Sequence, residues 1–68
     1  MATTTITVSG MTCGHCVSSV REEIGELPGV TDVRVDLASG RVEVDSAAPL
    51  SDDQLRSAVA EAGYEIVA

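Results

Sequence analysis

The chain has 68 residues, 44% of them apolar, with a single Tyr and no Trp or Phe, so it has room for one domain whose thin core must be built from Val, Ile, Leu and Ala. Eleven acidic residues against four basic ones give a formal charge of -7, which disfavours nucleic acid and anionic membrane as partners and fits a basic protein surface better. No apolar run approaches the length of a membrane span and the N-terminus lacks a signal pattern, so the expectation is a single domain over residues 1–68, starting at its own Met1, in the cytoplasm.

Residues 3–9 alternate, with Ile6 and Val8 on one face and Thr5 and Thr7 on the other, the period of a half-buried strand. Residues 10–14 read as a loop. From about His15 the apolar positions Val17, Val20, Ile24 and Leu27 recur at helical spacing, with Arg21, Glu22, Glu23 and Glu26 on the other side, and Pro28 with Gly29 is expected to stop the helix. Val30–Asp36 and residues 41–45 alternate again around a four-residue turn in which Gly40 supplies a positive φ. The hairpin register that sets Asp36 against Arg41 also sets Arg34 against Glu43, Val35 against Val42 and Val33 against Val44. Ser51 with Gln54 forms a capping box, and Leu50 can staple to Leu55. Leu55, Ala58, Val59 and Ala62 give the buried stripe of this second helix, Gly63 suits its C-terminal cap, and residues 64–67 read as a short last strand. The order strand, helix, strand, strand, helix, strand predicts an α+β, ferredoxin-like βαββαβ fold: a four-stranded antiparallel sheet with two helices on one face. Val35 is expected inward with Ile6, Val33, Val42 and Val44, beneath Val20, Ile24, Leu55 and Val59.

The loop carrying Cys13 and Cys16 is the one segment whose residues exceed what folding requires. A disulfide across Gly14 and His15 would close a very short loop and contribute only about 2 kcal/mol before strain. In a reducing compartment the pair stays dithiol, which favours a metal or redox role. Cys16 falls in the first helical turn, where amide N–H groups and the helix dipole favour thiolate, the metal-binding form. Two sulfur donors with no carboxylate adjacent in the loop suit a soft ion of low coordination number such as Cu(I) better than Ca or Mg, and a structural zinc site would need about four ligands. The same two thiolates would accept Ag(I), Hg(II), Cd(II) or Zn(II).

The loop Gly10-Met11-Thr12-Cys13-Gly14-His15-Cys16 resembles the Gly-Met-x-Cys-x-x-Cys signature of the heavy-metal-associated domains, and the element order and length are similar over essentially the whole chain. The chain looks like a free-standing bacterial copper chaperone of that family. The resemblance implies a solvent-exposed site in which Cys13 and Cys16 bind one Cu(I) per monomer, and delivery by ligand exchange to a metal-binding domain of a copper-transporting P-type ATPase. It implies that Met11 packs under the loop as an anchor and does not ligate, and that Tyr64 lies close to the metal loop. His15 reads as a third ligand, a partner to a thiolate or a solvated loop residue, and solvation is the expectation for the monomer.

Two rivals remain at this point. A thiol–disulfide oxidoreductase fits the spacing of the cysteines, but the chain is short for a thioredoxin fold and Pro49 precedes a helix. A metal-binding module of a mercury or zinc system would share the site and differ in cargo. Coordination arithmetic adds one expectation about assembly. Two thiolates leave Cu(I) open to a third sulfur, so the apo monomer is expected to form copper-promoted homodimers, with His15 near the shared site.

Overall fold

A computed structural model describes residues 2–12 and 14–67. The three alternating segments and the last short one form strands β1 (Ala2–Ser9), β2 (Val30–Asp36), β3 (Arg41–Ser46) and β4 (Glu65–Ile66), and the two periodic segments form helices α1 (Gly14–Gly25) and α2 (Asp52–Glu61). The strands line up as β2-β3-β1-β4, each neighbouring pair antiparallel. This is the expected βαββαβ ferredoxin-like arrangement.

Alternation decides which face each strand buries. Ile6, Val8, Val33, Val42 and Val44 are buried with Val20 and Ile24 of α1 and Leu55, Ala58 and Val59 of α2 in one aliphatic cluster. Thr3, Thr5, Arg34 and Arg41 lie on the open face. Val35 and Leu27 only line the edge of this core, half-buried, because β2 is the outermost strand and Leu27 lies beyond α1. The one buried polar residue among the described residues, Ser46, donates its hydroxyl to the Ala48 carbonyl at 2.6 Å.

The β2–β3 hairpin has the register that the charges and valines require, from Asp36 against Arg41 to Val33 against Val44. Arg34, however, does not pair with Glu43 opposite. Its guanidinium takes Asp45 diagonally across the ladder and Asp32 two residues back on its own strand, both at 2.8 Å, within the reach of a long side chain on one face of the sheet. Gly40 has φ +73, and a Cβ there would lie 2.6 Å from the Val8 carbonyl oxygen, so glycine is needed for conformation and for close approach alike. Its own carbonyl accepts the Val8 N–H at 2.8 Å, which fastens the hairpin turn to the end of β1.

Ser51 caps α2 as a full capping box: its hydroxyl accepts the Gln54 N–H at 3.1 Å, and Gln54 Oε1 accepts the Ser51 N–H at 2.9 Å. β1, α1 and β3 each begin or end one residue away from the sequence reading, and two boundaries differ by more. α1 ends at Gly25, not at Pro28, because the proline disfavours helical geometry at Leu27 and the chain leaves instead through turns closed by Leu27 N–H to Ile24 and Val30 N–H to Leu27. β4 has only two ladder residues in place of four, although the Val67 N–H still donates to the Thr7 carbonyl at 2.8 Å.

Candidate metal centre

The candidate site lies where β1 gives way to α1. The β1 strand delivers the chain to Gly10, whose φ of +91 turns it away from the sheet. Met11 follows, half-buried and packed against the core. Thr12 is exposed. Cys13 lies outside the described residues, so its place in the site stays an expectation. The helix opens at Gly14, putting Cys16 in the first turn, half-buried, with its Sγ 3.9 Å from the Thr12 hydroxyl. No acidic residue occupies that turn, so no carboxylate of α1 offsets the positive end of the helix dipole beside the sulfur.

His15 is exposed on the same turn. Its carbonyl, not its ring, is engaged, accepting the Ser19 hydroxyl at 3.1 Å. Among the described residues no three of His, Cys, Asp and Glu converge as a metal cage.

Tyr64 is brought to the loop from the far end of the sequence by the C-terminus of α2. Gly63, at φ +93, donates its N–H to Ala60 at 2.9 Å, and Tyr64 donates its own to Val59 at 3.0 Å, the paired bonds of a Schellman cap. That cap turns the Tyr64 ring onto Gly10, so closely that a Cβ on Gly10 would lie 3.2 Å from Cδ1. The aromatic therefore packs against Gly10, where β1 leads into the loop. The β2–β3 turn reaches the same end of the molecule through the Val8–Gly40 bond, and it presents Leu37 with 39% of its surface exposed. Sequence reading missed Leu37, which looked like any turn-flanking residue. It also missed Thr12, whose only signal was a hydroxyl four residues before Cys16.

Fold and site together define an α+β domain with Cys16 in the first turn of α1, at the junction with β1. The heavy-metal-associated domain model matches residues 5–65, and the chain belongs to that family. It is 44% identical over 61 residues to the COP-associated protein of Helicobacter felis, covering 90% of this chain and 92% of that protein. It is 40% identical over 63 residues to the copper chaperone CopZ of Bacillus subtilis, covering 91% of each. Among solved structures it is similar to a CopZ metallochaperone (TM-score 0.89, 33% identity, 97% of this chain and 100% of that one). It is also similar to a copper binding domain from a P-type ATPase (TM-score 0.87, 29% identity, 100% and 96%).

Proposed function

We propose that this protein is a Cu(I) carrier, a single domain over residues 1–68 that holds one ion between the sulfurs of Cys13 and Cys16 and passes it to a metal-binding domain of a copper-transporting P-type ATPase. The observation that carries this reading is likeness to a copper chaperone over nine-tenths of both chains.

The chemistry follows from the site. Thiolates are soft donors and retain Cu(I) where oxygen ligands would not. A pair held on an open loop leaves the ion reachable by an incoming thiolate, so a new Cu–S bond forms before an old one breaks and the ion is never released to water. Met11 and Tyr64, packed beneath the loop, hold its base while the cysteine segment adjusts. The acceptor is expected to present a related fold, which the likeness to an ATPase copper binding domain supports. Without such an acceptor, a second copy supplies the third sulfur, and His15 then lies near the shared ion. The carrier does no catalysis. It works in the cytoplasm, in keeping with the absence, among the described residues, of any helix long and apolar enough to cross a membrane.

Anaerobic competition against a Cu(I) chelator, with stoichiometry by native mass spectrometry, tests the reading. One Cu(I) per chain is expected, held more tightly than Zn(II), with strong loss in Cys13→Ser or Cys16→Ser while each apo variant stays folded. Parent-like affinity in both single variants would sink the two-thiolate site. Efficient insulin reduction by the metal-free dithiol would favour the redox alternative.

A further inference from the structure

β2 is the last strand of the sheet, and no described strand lies beyond it. The ladder decides which of its backbone groups face outward. Because Val8 N–H donates to the Gly40 carbonyl, the even residues of β3 point toward β1, and Arg41, Glu43 and Asp45 point toward β2. Their partners Asp36, Arg34 and Asp32 point back into the sheet, which leaves the amides and carbonyls of Val33 and Val35 aimed outward.

The Val33 amide is already engaged. Asp32 Oδ1 accepts it at 3.0 Å while Oδ2 takes Arg34 Nη1 at 2.8 Å, and Arg34 is held in turn by Asp45. One carboxylate thus occupies the position that the carbonyl of a neighbouring strand would take. Along the same edge runs an open groove of about 470 Å³ between α1 and β2, lined by Ser18, Arg21, Gly25, Val30 and Val33, where Gly25 leaves empty space.

We propose that the outer edge of β2 is a strand-docking surface for a second copy of this chain, and that Asp32 is the cap that keeps it shut in the monomer. Local symmetry of the sequence selects the occupant. Two β2 strands set antiparallel about Val33 exchange the two Val33 N–H and carbonyl groups, and each Asp32 then faces the Arg34 of the other copy. The second copy's Val33 and Val35 fall on the helix side, over the groove. Two opposing charges of -7 and the register shift between Val30 and Asp32 weaken the pairing, so the cap prevails in the parent protein.

The double exchange Asp32→Arg with Arg34→Asp tests this in metal-free, reduced protein, where copper-bridged dimers cannot form. It preserves net charge and the crosswise complementarity, but a guanidinium cannot accept the Val33 amide. Sedimentation is expected to show a monomeric parent and a dimerising exchange variant, about tenfold or more tighter than any parent association. The concentration-dependent amide shifts should be confined to Thr31, Val33 and Val35. Asp32→Arg alone sets guanidinium against guanidinium and should stay monomeric. A folded exchange variant as monomeric as the parent overturns the proposal, as does association whose shifts map to the metal loop or to Leu37. Because the exchange sets a carboxylate opposite Glu43 and can impair folding, hydrogen exchange of the parent gives a second reading. Relative to intrinsic rates, the Val33 amide should exchange about tenfold more slowly than the Val35 amide, which leaves by the same edge, and equal rates would refute the cap.

Discussion

At the scale of single residues, two glycines with similar dihedrals carry different burdens. Gly10→Ala meets the strain of a positive φ and the edge of the Tyr64 ring, which can yield, so a loss of about 1–2 kcal/mol is expected. Gly40→Ala meets the same strain and a backbone oxygen at 2.6 Å that cannot move without pulling β1 away from β3, so its loss should be the larger of the two. Urea denaturation of both variants checks the order. Asp45 makes a prediction about acid. The bonds from Arg34 and Thr3 hold its carboxyl below the usual aspartate range. The folded protein therefore binds that proton less readily than the unfolded chain, and Asp45's contribution, complete above the ordinary aspartate pKa, is lost as the pH falls through its depressed value. Urea midpoints measured from neutral pH into the acid range should fall less steeply for Asp45→Asn than for the parent. At the proposed site, Cu(I) must displace thiol protons, so affinity should drop up to roughly 100-fold per pH unit where both cysteines start protonated. A chelator competition series across neutral to mildly acid pH reads this slope.

At the scale of elements, α2 does two jobs. Its N-terminal box fixes where the helix begins, and Ser51→Ala should cost about 1 kcal/mol by leaving the Gln54 amide without its acceptor. Its C-terminal Schellman cap fixes where Tyr64 goes, and through Tyr64 it props the loop that α1 opens. α1 in turn is held by Val20 and Ile24, both fully buried in a core without Phe or Trp. Ile24→Ala should therefore cost about 2–5 kcal/mol, a large share of the stability of so small a domain, and thermal unfolding by circular dichroism measures it.

At the scale of the whole molecule, the charge of -7 is spread over both outer faces. Glu22, Asp52, Asp53 and Glu61 are exposed on the helices, Glu26 in the turn after α1, and Asp32, Asp36 and Glu65 on the strands. A field of one sign acts on encounter more than on the final contacts. If the acceptor presents a basic surface, raising salt should slow association well before it speeds dissociation, and stopped-flow mixing with a cognate acceptor domain gives both rates.

Periodicity and cap chemistry are local, so the sequence by itself determined the element order, the inward valines other than Val35, the hairpin register and the capping box of α2. It also marked Gly10–Cys16 as the segment with surplus chemistry, because sulfur donors with two residues between them declare themselves without any fold. What depended on distance across the chain was decided only by tertiary structure. Arg34 took Asp45 on the diagonal and Asp32 on its own strand in place of Glu43 opposite, and Val35 fell short of full burial because β2 ended up at the edge. Tyr64 came to lie on Gly10 because the turn at Gly63 and the antiparallel pairing of β1 with β4 bring the two ends of the sequence together. No spacing along a linear chain encodes such a meeting, since it follows from the sum of several turns, each legible alone and none sufficient.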